Sequence, residues 1–275
     1  MPGTNHFYRG PLKAVVLDWA GTTVDYGCMA PAAVFIETFK RRGVTITMAQ
    51  ARAPMGMFKK DHIRAIMHME PVVQQWLAVH DLPSTEDDVN AMYRDFLPLQ
   101  LAVIARHADV IPGTIEAIAA FRQRSLKIGS TTGYTRAIMD RLIPLAAQRG
   151  YKPDAIVCAD EVPAGRPQPW MMYQNAQQFG VYPMSAVVKI GDTVPDIEEG
   201  LNAGTWTIGV VKTGYELGLT EADVAGLDPI DLKARIDVGR ARLLEAGAHY
   251  VVDCLADVPP LIDEIAARLA NGERP

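Results

Sequence analysis

The chain has 275 residues, 49% of them hydrophobic and 21% charged, with a net charge of −5 at neutral pH. That length suits one large domain or two unequal ones, and the composition is that of a globular protein. The acidic balance argues against nucleic acid as a partner, no run approaches the roughly 18 apolar residues of a bilayer span, and three scattered cysteines (Cys28, Cys158, Cys254) fit neither a disulfide framework nor a zinc site.

The first ten residues, MPGTNHFYRG, carry no apolar run behind their charges, so a secretory signal is not expected there and the cytoplasm is the expected compartment. The run AVVLDW (14–19) then reads as a strand buried on both faces, ending on Asp18 and turning through Gly21, Thr22 and Thr23. An aspartate at a strand end is a common turn residue; it is also where α/β proteins place their chemistry.

About eighty residues of helical pattern follow, roughly 28–107. PAAVFIETFKRRG has proline at a helix start and stops at Gly43, and Ser84 with an acidic first turn opens a second helix. Seven of the twelve methionines (29, 48, 55, 57, 67, 69, 92) fall here. Methionine packs adaptably, and an insertion after the first strand overhangs the functional edge, so a mobile helical cap is expected beside the plainer reading of a loose helical core. Within it, APMGMFKKDHIRAIM (53–67) predicts a helix placing Met55, Lys59 and His62 on one face. A lysine against methionine loses solvent and becomes a neutral amine able to form an imine; Lys59 as a surface charge is the alternative.

Helix and strand alternate thereafter: GTIEAIAAFRQR (113–124), LKIGST (126–131), AIVCAD (155–160), PWMMYQNAQQFG (169–180), AVVKIGD (186–192), TWTIGVV (205–211) and HYVVDCL (249–255). This predicts an α/β fold, a doubly wound parallel sheet with the helical cap (28–106) inserted into a core of 1–27 and 107–275. DVIPG (109–113) marks re-entry to the core. IGSTTGYT (128–135) places Thr132 and Gly133 after a strand, and EVPAGRPQP (161–169) holds Arg166 in a rigid loop, both able to meet a phosphoryl group. IGDTVPDIEEG (190–200) ends another strand on Asp192, with Asp196 four residues on at a spacing that also caps a helix. Two strand-end carboxylates on one edge call for a cation, and an all-oxygen set suits Mg²⁺.

These motifs in this order resemble the haloacid dehalogenase superfamily. With DWAGTTVDYGCMAP, PMGMFKKDHIRA and DEVPAGRPQPWM the chain resembles the phosphonatase family within it, from about residue 10 to 260. The resemblance implies that Asp18 is a nucleophile forming an aspartyl-phosphate, and that Mg²⁺ is held by Asp18, Asp192 and the carbonyl of Ala20, with Asp196 orienting its shell. It further implies that Cys28, Met55 and Tyr134 line the pocket, that phosphonoacetaldehyde is the substrate, and that the protein is a homodimer. Most phosphatases of the superfamily have an acid two residues after the nucleophile to protonate an ester oxygen. Ala20 leaves either a phosphatase without its acid or an enzyme whose leaving group needs other help. Breaking a carbon–phosphorus bond is such a case: a protonated imine on Lys59 accepts the electrons, with His62 as a candidate proton relay and Thr132, Gly133 and Arg166 steadying the transferring group. An ester phosphatase on the same scaffold, or a sensor binding a phosphorylated ligand, are the rivals.

Overall fold

The computed structural model describes residues 8–275; the part of the amino-terminal stretch before residue 8, read above for a signal, lies outside the described residues. Six strands, β1 (Ala14–Leu17), β2 (Lys127–Thr132), β3 (Ala155–Cys158), β4 (Val187–Gly191), β5 (Trp206–Val210) and β6 (Tyr250–Val252), form one parallel sheet in the order β3-β2-β1-β4-β5-β6. The six strands stand where the apolar runs predict; five are two to four residues shorter because run ends turn into loops, and β2 is shifted by one residue to end on Thr132. Leu17 pairs with Ser130 on one side and Ile190 on the other. The connections reverse direction between β1 and β4, and a crevice opens outside the strand ends at such a switch. Asp18 and Asp192 follow the two strands that flank it.

Between β1 and β2 the chain forms α1 (Ala30–Lys40), α2 (Met48–Arg52), α3 (Lys59–Met67), α4 (Glu70–His80) and α5 (Glu86–Val103). These helices have their own core, built on Phe35, Phe39, Ile63, Ile66, Trp76 and Phe96, with only Met67 and Met92 of the insertion's methionines fully inside it. The aromatics make this a close-packed unit, and the loose methionine core weighed above is not what forms. Two expectations are corrected. α3 starts at Lys59, six residues late, because Gly56 takes a left-handed φ of +90° that a helix cannot include. Met55 therefore sits in a turn before the helix. The cap of α5 is Thr85 in place of Ser84: its hydroxyl accepts from the Asp88 N–H while Asp88 reaches back.

The core helices α6 (Thr114–Gln123), α7 (Arg136–Gln148), α8 (Trp170–Phe179), α9 (Val194–Ala203), α10 (Glu221–Gly226), α11 (Pro229–Glu245) and α12 (Pro259–Ala270) complete the fold. The largest apolar cluster joins β1, β2, β4 and β5 to α6, α7 and α12. Asp25 joins the two connections to the insertion: it accepts from the Ala30 N–H at 3.0 Å at the start of α1 and lies 3.0 Å from His107 Nδ1. No helix among the described residues is long and apolar enough to cross a membrane.

Candidate active site

Trp19, immediately after Asp18, fixes the end of β1. Its indole is buried, stacks edge-on to Tyr151 at 5.0 Å and donates to Ser130 Oγ at 2.9 Å. With Trp19 anchored on one side, Asp18 points into the crevice. The chain turns at Gly21, whose φ is +92° and where a Cβ would strike the Asp192 carboxylate. The turn bonds on itself, Thr23 Oγ1 donating to the Asp18 carbonyl at 3.0 Å. The Ala20 carbonyl receives no hydrogen bond among the described residues.

Asp18, Ala20, Cys28, Met55, Gly56, Lys59, Thr132, Gly133, Tyr134, Arg166 and Thr193 line a single small cavity. Ten of these come from the strand-end loops and the turn before α3, which meet directly: a Cβ on Gly133 would lie 2.7 Å from the Met57 carbonyl. Lys59, the first residue of α3, faces them. The insertion lies closed on the sheet edge.

On the sheet side the cavity floor is charged. Arg166 is buried and uses its whole fork: Nη2 reaches Asp18 Oδ1 at 2.7 Å, Nη1 Asp196 Oδ1 at 2.9 Å, and Nε Glu199 Oε2 at 3.0 Å. Burial opposes its charge, but these acids outweigh it and raise its pKa. Lys189, inside β4, meets Asp196 at 2.8 Å, Glu199 at 3.0 Å and Thr131 Oγ1 at 2.7 Å. Asp192 accepts from Thr22 Oγ1 at 2.8 Å and from the Tyr215 N–H at 2.7 Å. Burial pushes the pKa of Asp18 up, against Arg166; burial and then the Asp18 and Asp196 charges push that of Asp192 well up. Burial would raise Asp196 too, but Arg166 and Lys189 prevail and hold it below the usual carboxylate range.

Oxygens of Asp18, Asp192 and Asp196 lie within 4.8 Å of one another. Four carboxylates here (with Glu199) face two fixed cations, a surplus of two negative charges that a divalent ion would balance. The all-oxygen donors and the unpaired Ala20 carbonyl fit such an ion. Asp196 fits as an outer partner, since Thr193 Oγ1 donates to its Oδ2 at 2.5 Å while Arg166 and Lys189 hold Oδ1.

The opposite side is apolar. Lys59 is 4% exposed and forms no ion pair among the described residues; Nζ lies 5.1 Å from the Tyr134 ring centroid and 5.8 Å from that of Phe35. Burial lowers its pKa below the usual lysine value, outweighing the nearby Cys28 and Asp18. Cys28, at a φ of +53°, packs with Ala32 and Met55 against Ala20 and Tyr215, and burial keeps its thiol protonated. Tyr134 is buried with its N–H on Thr132 Oγ1 at 3.1 Å. His62 stands apart from the cavity lining. Its ring stacks on Phe35 at 3.8 Å and Nε2 is 2.9 Å from the Ala51 carbonyl, so Nε2 carries the proton and Nδ1 keeps a free lone pair. Burial and the Lys59 charge drive its pKa well down, leaving it neutral.

Three groups escaped the sequence reading. Lys189 and Glu199 had a signal: a lysine inside an otherwise apolar buried strand, and a second acid one turn after Asp196. The loop at 212–218, in which no chemistry was read, supplies the Tyr215 N–H to Asp192, and no local pattern announces a backbone donor.

Residues 12–204 match the haloacid dehalogenase-like hydrolase family. The chain is 54% identical to a phosphonoacetaldehyde hydrolase-like protein of Syntrophobacter fumaroxidans, over 98% of this chain and 97% of that one. It is 53% identical to a phosphonoacetaldehyde hydrolase of Nitratidesulfovibrio vulgaris, over 98% and 96%. The crystal structure of a phosphonoacetaldehyde hydrolase-like protein from Oleispira antarctica superposes with a TM-score of 0.98 at 38% identity, covering 100% of both chains. The chain belongs to the phosphonoacetaldehyde hydrolase family of haloacid dehalogenase-like hydrolases.

Proposed function

We propose that this protein hydrolyses the carbon–phosphorus bond of phosphonoacetaldehyde to acetaldehyde and phosphate, through an imine on Lys59 and an aspartyl-phosphate on Asp18. The observation that carries this reading is Lys59: a buried amine without an anionic partner among the described residues, sharing one cavity with Asp18, while Ala20 occupies the place of an ester-protonating acid.

The neutral Lys59 amine adds to the aldehyde and loses water, and the imine is protonated. The Asp18 carboxylate then attacks phosphorus. As the new oxygen–phosphorus bond forms, the carbon–phosphorus electrons move into the iminium to give an enamine. Protonation of its carbon restores the iminium, and water releases acetaldehyde and free Lys59. A second water cleaves the aspartyl-phosphate. Arg166 holds Asp18 in line and, with the Thr132 hydroxyl and the Gly133 N–H, meets the phosphoryl oxygens. His62, neutral and one turn from Lys59, is suited to relay protons. Cys28, Met55 and Tyr134 shape the pocket and exclude water. Mg²⁺, held by Asp18, Asp192 and the Ala20 carbonyl with Asp196 behind them, would offset the phosphonate charge that otherwise repels the nucleophile.

We take 28–106 as a cap that opens about the connections near 25–28 and 106–112, on a core of 1–27 and 107–275. A cytoplasmic homodimer is the proposed form; three free cysteines suit that compartment.

The test is borohydride reduction in the presence of Mg²⁺ and phosphonoacetaldehyde, with peptide mapping. A reduced adduct on Lys59 with loss of activity is expected. Phosphate release without any adduct would sink the imine and return the protein to ester-type phosphatase chemistry.

A further inference from the structure

Arg52, the last residue of α2, is 9% exposed and forms no ion pair among the described residues. Its Nη2 donates instead to two backbone carbonyls, Gly27 and Tyr215, each at 3.0 Å, and its guanidinium lies over the Tyr215 ring at 5.1 Å. The receiving loop is shaped to admit it. Gly218 takes a φ of +62°, and a Cβ there would collide with the Arg52 guanidinium.

The two carbonyls belong to segments far apart in the chain. Gly27 lies in the first connection to the insertion, and its N–H donates to the Thr213 carbonyl at 2.7 Å. Tyr215 lies in the core loop whose N–H holds Asp192 at 2.7 Å. On its own side, the Arg52 carbonyl accepts from the Met55 N–H at 2.9 Å, so the turn carrying Met55 and Gly56 hangs from it. A guanidinium buried without an acid is unfavourable unless it is fully bonded, and an apolar side chain would fill the space as well if packing were its only role.

We propose that Arg52 is a positioning residue, a latch that fastens the insertion to the sheet edge and in the same contact sets the loop that holds Asp192. Enclosure of Lys59 and placement of Asp192 are thereby one event, driven by whichever ligand favours the closed form. The latch rests on the reading of Lys59 as the imine-forming lysine, and the experiment separates the two.

Unaltered protein, Arg52→Met and Arg52→Lys are compared in three measurements: borohydride trapping with acetaldehyde, steady-state phosphate release, and amide hydrogen exchange. For Arg52→Met, kcat is expected to fall about 10- to 100-fold, the cost of an ångström-scale misplacement, with a smaller change in KM. The Tyr215 amide should exchange at least about tenfold faster while amides of β1 and β4 stay protected. Arg52→Lys, able to reach one carbonyl, should recover part of both effects. A kcat within twofold of the unaltered protein, an unchanged Tyr215 amide, or loss of protection in β1 and β4 as well would each overturn the latch. Absence of trapping in the unaltered protein would overturn the imine reading instead, with the exchange comparison still deciding the latch.

Discussion

The floor and the roof of the cavity solve opposite electrostatic problems with side chains that line one small space. On the floor Arg166 and Lys189 between them hold Asp18, Asp196 and Glu199 in a buried lattice of ion pairs, and Asp192 is held by hydrogen bonds from Thr22 and the Tyr215 N–H. In the roof Lys59 has aromatic rings as close neighbours and, among the described residues, no ion-pair partner. The floor is organised to receive a dianion, and Arg166 opposes the burial that raises the pKa of Asp18. The roof is organised to lower the pKa of an amine by burial, where a close carboxylate would raise it. A phosphatase needs only the floor; a reaction passing through an imine needs both.

The largest expected effect comes from dividing the two. Asp18→Asn leaves the roof untouched and removes the proposed nucleophile. Phosphate release should fall on the order of 10⁴-fold, while borohydride still traps acetaldehyde on Lys59. Trapping that disappears along with phosphate release would mean the two halves are not separable.

How far this division was legible in the sequence depends on the range of the interactions. Asp18, Asp192 and Arg166 follow strands or stand in rigid loops, and a run such as AVVLDW announces both the strand and the residue at its end. Lys59 was legible through its neighbours Met55 and His62, although the helix thought to align them starts only at Lys59. Met55 reaches the cavity from the turn before it. The partners that give these groups their meaning were not legible. Lys189 meets Thr131 across 58 residues of chain, and Arg166 meets Asp18 across 148. Arg52 bonds to carbonyls, which every residue has. The spacing Thr193–Asp196 reads as a helix cap and is one. That the same carboxylate also anchors Arg166 and Lys189 follows from packing alone.

A smaller effect tests the roof from the other direction. Ala20 lines the cavity with Lys59, so Ala20→Asp would place an acid two residues after Asp18 and give Nζ an anionic partner that it does not have among the described residues. Each tenfold loss of neutral amine corresponds to one pKa unit, so kcat/KM at neutral pH should drop about 10- to 100-fold, with the loss shrinking as the pH is raised. A variant that kept its rate, or whose loss did not depend on pH, would show that the starved environment of Lys59 is incidental.

The smallest effect concerns stability, and its sign distinguishes a desolvated lysine from an ordinary one. Burial holds the Lys59 pKa below the usual value of 10.5, so between the folded and unfolded pKa the unfolded chain binds more protons and stability rises with pH. The deficit is full below the folded pKa and vanishes as the pH climbs through the unfolded value. Lys59→Met, placing a thioether beside Cys28, Met55 and Phe35, should therefore stabilise the inactive protein by about 1 kcal/mol near neutral pH, in the range typical when a functional strain is relieved. Denaturant titrations at neutral pH and near pH 10 decide the matter. If the amine is held uncharged by the fold, the gain is present at the first and reduced at the second. A gain equal at both would trace to packing, and a loss at both would mean that the lysine is satisfied by contacts its apolar surroundings do not suggest.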